Sequence, residues 1–536
     1  MRKERVVKSV EKSFLRRALD TLLDHNLYRL VVLVMVVVRT CAFLNPFIGP
    51  FVKFTLLWSA LILLKDLFTE RLFMTNRFRG VLYLFLIAYG VTALVNRDRN
   101  FARNLVMWAY IISNMLVMYS YDLKKSPGTV KRELLRFNHT FMIATFAGQL
   151  ISLVTFFLGI AFAYRVGDVV YYYGVYDGRI WGFYTNPNAA SFFTVINLML
   201  TVVSVLIQKE SLGRGKKIFY VVNNVVQMLI LFLCNSRTSI FTVCFYVVVL
   251  VVLMKLPDIL WNKDKPARKK QIGRTAFVAV VLPLALLGTH TYALDILPNF
   301  VLKTSFSETL NETIEEVTNT SSTATITAGD VALEREDFGT KFGGRYFLWQ
   351  SGIELIKNNA AFGVGCDNVP TEAYRYAARY FTAYGDDVYL PGVSGGLHNL
   401  FFQISAASGL VGLGIFALFG VLVIQRVIRY YIWMIREHRL NPLAVSCICV
   451  VLIIVLRTMT DTGIIYGIYY LGVVFWTYLS AVMYFADSEF TAGRKPFVAM
   501  IHDRIFNREK ADASVYRIEK KKKAARVKKP AKKAAV

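Results

Sequence analysis

Charged residues are scarce in this chain, and those present are mostly positive. Only 18% of the 536 residues are charged, 55% are hydrophobic, and lysine plus arginine outnumber aspartate plus glutamate by 63 to 36. The mean hydropathy of +0.44 is too high for a soluble protein of this length, because a soluble protein needs more polar surface. The composition therefore predicts an integral membrane protein.

Cysteine and histidine are rare too, with six residues of each. Cys366 has no obvious disulfide partner nearby, and Cys447 and Cys449 lie in an apolar segment as small core residues. No Cys/His group has the spacing of metal ligands. We therefore expect neither a metal site nor a cofactor.

The apolar residues are gathered into blocks of membrane-spanning length. A hydrocarbon core of about 30 Å requires about 20 helical residues. The sequence predicts an all-α membrane protein of about twelve transmembrane helices, at residues 28–44, 51–68, 79–95, 102–121, 139–163, 188–207, 217–234, 238–255, 273–292, 399–425, 442–458 and 463–485. No small-residue cleavage site follows the first apolar block, so we expect it to remain as a membrane anchor rather than a signal peptide.

The distribution of lysine and arginine predicts the orientation. Basic residues concentrate in the segments 122–136, 209–217, 263–274 and 426–439, which places these loops and both termini in the cytoplasm of a bacterial inner membrane. The long loop 293–398 holds about twice as many acidic as basic residues and is predicted to lie outside. Arg97, Arg99 and Arg103 are discordant, since they fall on the predicted outer side.

This topology divides the chain into five parts. A basic N-terminus (1–27) precedes transmembrane helices 1–9 (28–292), the extracytoplasmic loop (293–398), helices 10–12 (399–485) and a Lys/Ala-rich cytoplasmic tail (486–536). The composition of the tail predicts a disordered segment that can contact anionic lipid or other polyanions. Since much of the +27 formal charge sets orientation, no specific nucleic-acid partner is expected.

Two of the six histidines, His290 and His398, can face outward in this topology. His290 lies in or at the end of an apolar helix, which favours a packing role. His398 follows the flexible stretch Ser394–Leu397 and starts an apolar run, where an imidazole can act as a general base. Asn399 can cap that helix or orient the ring. Gly409, Gly412 and Gly414 are most simply small residues that let helices approach closely.

Three arginines share the predicted outer face with His398. Arg179 precedes Asn186-Pro187-Asn188, Arg237 sits in a tight turn between two helices, and Arg345 follows two glycines in the loop. Each could merely snorkel to the interface. Together, however, guanidinium groups are suited to binding phosphate oxygens, because they stay charged and donate forked hydrogen bonds.

The order and spacing of these residues resemble the O-antigen ligase and polysaccharide polymerase superfamily. The resemblance rests on Arg179-x-x-Gly182, Ser236-Arg237, Gly344-Arg345 and His398-Asn399 followed after nine residues by Gly409-x-x-Gly412, and it covers roughly residues 175–425. After Asn358-Asn359 this chain has two alanines where the family usually has proline.

The resemblance implies a metal-independent, inverting glycosyltransferase of the GT-C type in O-antigen, capsule or exopolysaccharide biosynthesis. Its donor would be a glycan on a polyprenyl diphosphate such as undecaprenyl diphosphate, with a glycan, lipid or wall polymer as acceptor and membrane lipids around it. His398 would be the catalytic base, and Arg179, Arg237 and Arg345 would bind the diphosphate. Asn399, Asn186, Asn188, Gly409 and Gly412 would support the site.

A transporter or flippase for lipid-linked glycan is the alternative. Such a protein would also show about twelve helices, but it would be expected to place charged residues near mid-membrane. Here Arg457 and Asp461 sit at a helix end, which favours an enzyme working at the membrane surface. The sequence leaves open the choice between ligase and polymerase, the sugar, the linkage and the acceptor.

Overall fold

The computed structural model describes residues 14–69, 71–166, 169–176, 178–302, 309–310, 313, 345–381 and 396–490. Its helices are α1 (Phe14–Leu22), α2 (His25–Arg39), α3 (Asn45–Phe68), α4 (Leu72–Thr75), α5 (Arg79–Val95), α6 (Phe101–Ile112), α7 (Pro127–Phe157), α8 (Pro187–Ile207), α9 (Arg214–Leu233), α10 (Arg237–Trp261), α11 (Lys265–Ile296), α12 (Arg345–Asn358), α13 (Val369–Phe381), α14 (Leu400–Arg436), α15 (Pro442–Arg457) and α16 (Tyr470–Phe490). A π-helical turn, Ser113–Met118, continues α6, and the 3₁₀ turns Leu297–Phe300 and Cys366–Asn368 complete the helical elements of these residues.

The described chain is a largely helical membrane protein, as the composition predicts. Nine helices are long and apolar enough to cross a membrane, and Arg79–Val95 and Pro442–Arg457 are shorter apolar helices. Each of the predicted apolar segments overlaps a helix, but the number of true spans stays a prediction. Several helices extend beyond their apolar segment: α7 begins at Pro127 rather than 139, because Ser126 caps it and accepts a hydrogen bond from the backbone N–H of Thr129.

Two short β-hairpins depart from the predicted all-α architecture. Strand β1 (Phe162–Val166) pairs antiparallel with β2 (Val169–Tyr173), and β3 (Val175–Tyr176) pairs with β4 (Arg179–Ile180). The segment alternates aromatic and β-branched residues, which favour strands, and Asp-Gly precedes β4 as a hairpin signal. These hairpins lead the chain from the end of α7 to the start of α8.

One end of the helix bundle gathers all the predicted site motifs. The N-termini of α8, α10 and α14 and the C-termini of α9 and α15 lie there. We call it the motif end; it is the end that the lysine and arginine distribution predicts to face outward. The core behind it centres on α16. Of the residues in the most apolar stretch of this helix, 94% are buried, and Trp476 and Tyr478 are fully buried.

Two of the three discordant arginines, Arg99 and Arg103, have a structural explanation. The side chain of Arg99 lies 3.5 Å from the Glu372 carboxylate, and that of Arg103 lies 3.8 Å from Asp367. Both acids belong to the loop between α11 and α14, in or beside α13. The arginines thus depart from the positive-inside rule at positions where they help to dock acidic loop residues onto α6 and the turn before it.

Candidate functional site

The first predicted arginine, Arg179, is buried at the motif end with only 6% of its surface exposed. Its Nε donates to the carbonyl of Cys234 over 2.9 Å, and an Nη donates to the Asn188 side-chain oxygen over 2.7 Å. Asn186 caps α8, since its side-chain oxygen accepts from the backbone N–H of Asn188 at 2.7 Å. Strand β4, the start of α8 and the end of α9 are therefore fixed to one guanidinium.

The second arginine, Arg237, is the exposed first residue of α10. Its neighbour Ser236 donates from Oγ to the Asn188 side-chain oxygen over 3.5 Å. Ser239 bonds to both Ser236 (3.1 Å) and Ser191 (2.7 Å) through its hydroxyl. The structure thus brings Arg179, Asn188 and the turn that carries Arg237 into one hydrogen-bonded unit, which we call the arginine cluster.

His398 stands at the start of α14 with a left-handed backbone conformation (φ 48°) and a half-buried side chain. Asn399 caps the helix as expected: its side-chain oxygen accepts from the N–H groups of Phe401 and Phe402 at 2.9 and 3.2 Å. Its amide also donates to the carbonyl of Met459 over 3.1 Å. These bonds fix the backbone beside His398 against the C-terminus of α15.

Helix α12 of the loop packs over the same segment. The indole N–H of Trp349 donates to the carbonyl of Leu397 over 3.0 Å, and a Cβ at Gly352 would lie only 2.9 Å from a methyl carbon of Leu397. Arg345 is the first residue of α12, one helical turn before Trp349, but its side chain lies outside the described part of the structure. Helix α12 therefore lies on the bundle next to His398.

The glycines of the motif act differently from the prediction that they allow helices to approach. Gly409 interrupts α14 with φ 68° and ψ −178°, a conformation essentially restricted to glycine. After the break, two backbone N–H groups of α14 bond to the loop that precedes the helix in the chain. Leu410 donates to the carbonyl of Ala360 at 2.7 Å, and Val411 donates to that of Ala361 at 3.3 Å. These two alanines occupy the place where the family usually has proline.

The other two glycines of this segment, Gly412 and Gly414, differ in the space around their Cβ positions. A Cβ at Gly412 would lie 2.4 Å from the Cβ of Ser408, so the kink itself requires a small residue there. A Cβ at Gly414 would meet nothing within 4 Å. Gly409 therefore combines a glycine-restricted backbone conformation with a close approach of the loop, since a Cβ there would lie 2.1 Å from the Ala361 carbonyl oxygen, whereas Gly414 makes no close contact.

Arg457 connects the two halves of the site, and the sequence reasoning noted it only as a helix-end charge. It is buried (3% exposed) at the C-terminus of α15, and its guanidinium carbon lies 5.0 Å from the Phe192 ring centroid, next to Ser191 of the arginine cluster. The following residue, Thr458, accepts the N–H of Leu400 over 2.8 Å. The sequence does carry a signal for this residue, which is an arginine at the end of an apolar helix with an aspartate four residues later.

Arg457 also has local polar partners. An Nη donates to the Thr460 hydroxyl over 2.6 Å, and another lies 3.8 Å from the Asp461 carboxylate. Its Nε is buried without a hydrogen-bond partner within the described structure. A buried cation with an unfilled donor beside both motifs adds positive potential to the site.

The other predicted or possible site groups are accounted for as follows. His290 packs on the Phe232 ring with centroids 5.8 Å apart, in keeping with a packing role. The thiol of Cys366 is free, and burial raises its pKa to about 12 because the thiolate is poorly solvated. Across the described ranges, no three His, Cys, Asp or Glu side chains are arranged to hold a metal ion.

The sequence just before His398 also fits a hydrolase pattern, Gly392-Val393-Ser394-Gly395-Gly396. In hydrolases, that Gly-x-Ser-x-Gly pattern places serine on a turn between a strand and a helix. Residues 382–395 lie outside the described residues, and the strands in the part that is described fall between 162 and 180. The pattern therefore gains no structural support.

Comparison with known families confirms the predicted resemblance over part of the chain. Residues 222–417 match the family model described as O-Antigen ligase. This segment contains Arg237, Arg345, His398, Gly409 and Gly412, whereas Arg179 precedes it. No curated protein matches the chain. The family match supports a role in surface polysaccharide biosynthesis and a ligase- or polymerase-like glycosyltransferase activity.

Proposed function

We propose that this protein transfers or polymerises glycan from a polyprenyl-diphosphate-linked donor at the outer face of the bacterial cytoplasmic membrane. One observation supports the proposal: the buried Arg457 packs on Phe192 of α8, and the next residue, Thr458, bonds to Leu400 at the start of α14. A base and several cations at one bundle end suit the transfer of a sugar from a diphosphate leaving group.

The diphosphate would bind at the arginine cluster. Arg237 is exposed at its top and can offer forked donors to phosphate oxygens. Arg179 is buried below and holds the Cys234 carbonyl and Asn188, so it would contribute charge from beneath and keep the turn in place. Arg345 would approach from the start of α12.

His398 would act on the acceptor. Its imidazole takes the proton from an acceptor hydroxyl as the oxygen attacks the anomeric carbon, and the bond from that carbon to the diphosphate oxygen breaks. The diphosphate leaves with the bonding electron pair, and the imidazolium later releases its proton to water. A single displacement inverts the anomeric configuration and needs no metal; a positioned base contributes about 10²–10⁴-fold to the rate.

The test reconstitutes the purified full chain with a polyprenyl-diphosphate oligosaccharide and an acceptor glycan or lipid. We expect His398→Ala to abolish transfer, whereas His290→Ala, which alters the packing histidine on α11, should retain it. Full transfer by His398→Ala would exclude the general-base role.

The same assay separates the candidate reactions. A ladder of product lengths without added acceptor indicates a polymerase, and dependence on a distinct acceptor indicates a ligase. Donor that crosses the liposome membrane chemically unchanged, without any transfer product, would instead support the flippase.

A further inference from the structure

A cavity at the motif end has a lining that shares no residue with the arginine cluster. It has a volume of about 470 Å³ and lies between the end of α2, the first turns of α3 and α6, and the segment before α16. Its polar lining includes Arg39, Lys53 and Arg103 together with one carboxylate, that of Asp367. The cavity therefore carries an excess of positive charge.

Lys53 is the unusual member of this set. It is the ninth residue of α3, about 12 Å along the axis from the start of the helix. Its side chain is exposed, and the large exposed residues beside it on α3, Phe51 and Phe54, are apolar. A lysine inside an apolar span is costly unless it finds an anionic partner or reaches the interface. Among the described residues it has no hydrogen bond or ion pair.

The other two cations are only partly compensated. Arg103 is 75% exposed at its side chain and lies 3.8 Å from Asp367, a distance that gives a weak pair in water. Arg39 packs its guanidinium 5.8 Å from the Tyr469 ring centroid. Each could therefore turn part of its donor capacity toward a bound anion.

The rest of the lining is mainly apolar. Val52 of α3 and Val106 and Met107 of α6 contribute to it. Gly49 leaves room there, since a Cβ at this position would meet nothing within 4 Å. Cationic side chains beside apolar ones, near the ends of two apolar helices of membrane-spanning length, complement a molecule with an anionic head and hydrocarbon chains.

We propose that this cavity binds the phosphate headgroup of an anionic membrane lipid, with the lipid chains along α3 and α6. Lys53 and Arg103 bind the phosphate from two sides, and Arg39 closes the third. This binding does not depend on the proposed glycosyl transfer, since the cavity lining contains none of the residues of the arginine cluster. A lipid is favoured over free phosphate because Lys53 rises from an apolar helix face.

The test measures lipid bound to the purified full chain by native mass spectrometry after exchange into nanodiscs of phosphatidylglycerol or of phosphatidylcholine. We expect retained phosphatidylglycerol on the wild type, about fivefold less on Lys53→Met, and recovery with Lys53→Arg. Gly49→Leu should also reduce retention, since its side chain would enter the cavity.

Two matched variants control for general damage. Lys255→Met removes an exposed lysine on α10, and Gly414→Leu adds bulk at a glycine whose Cβ position is equally open; both should retain lipid like the wild type. The proposal is overturned if Lys53→Met and Gly49→Leu retain phosphatidylglycerol like the wild type. It is also overturned if phosphatidylcholine is retained equally, or if millimolar inorganic phosphate displaces the lipid completely.

Discussion

Gly409→Ala tests the view that the glycine motif is a backbone device. The substitution forces a Cβ into a conformation essentially restricted to glycine, at a cost of about 1–3 kcal/mol. The new atom would lie 2.1 Å from the carbonyl oxygen of Ala361, so the loop must move away. Such a movement breaks the hydrogen bonds from Leu410 and Val411, worth about 1 kcal/mol each. The expected total loss is about 3–5 kcal/mol.

The matched control is Gly414→Ala, five residues further along the same helix. Its Cβ meets nothing within 4 Å, and alanine is favoured over glycine in a helix by about 1 kcal/mol. In detergent, thermal unfolding followed by fluorescence should show a clearly lower apparent Tm for Gly409→Ala and an unchanged or slightly higher one for Gly414→Ala.

Hydrogen exchange locates the effect. Faster exchange of the Val364 and Gly365 amides is expected in Gly409→Ala, because they donate to the carbonyls of Ala406 and Ala407 at 2.9 and 3.0 Å. If both glycine variants unfold at the wild-type temperature, the kink is not a requirement of the fold and our reasoning about the motif is wrong.

Three further predictions concern single side chains. Asn399→Ala should lower the free energy of unfolding by about 1 kcal/mol and reduce glycan transfer. Asn399→Asp keeps the capping oxygen and should retain most of the free energy of unfolding. Equal Tm values for the two variants would contradict the capping role. Arg457→Met, which keeps bulk beside Phe192 but removes the charge, should reduce kcat/KM for transfer at least tenfold; unchanged kinetics would refute its electrostatic contribution. Cys366 should react with maleimide about a thousandfold more slowly than a thiol of ordinary pKa, because burial raises its pKa to about 12. Its reaction rate should rise tenfold per pH unit from pH 7 to pH 9. A cysteine introduced by Thr371→Cys, at an exposed position on α13, is the control; equal rates at the two thiols would show that Cys366 is accessible and ionised.

Local patterns account for much of the agreement between prediction and structure. The apolar helices found at the predicted segments follow from the length of each apolar run. The cap by Asn399 follows from its residue type at the start of an apolar run. Such features depend on neighbours within a few residues, so the sequence shows them directly.

Long-range features were missed or misread. The kink at Gly409 depends on carbonyl groups of residues 360 and 361, almost fifty positions earlier, so the same glycine reads as an ordinary helix-packing residue. The hairpins between 162 and 180 carry an aromatic and β-branched pattern, but they lie between two predicted helices and the predicted all-α architecture contained no strands.

The sequence by itself determined that this is a membrane protein, where its apolar helices lie, and which histidine and arginines could form a site at its predicted outer end. Those properties follow from composition and from the number of helical residues that a bilayer requires. Only the tertiary structure decided that Arg179 is buried against Cys234 and Asn188, and that the end of α15 meets both Phe192 of α8 and the start of α14. The physical reason is that these contacts join helices far apart in the chain, and packing, rather than any local pattern, selects which helix ends meet.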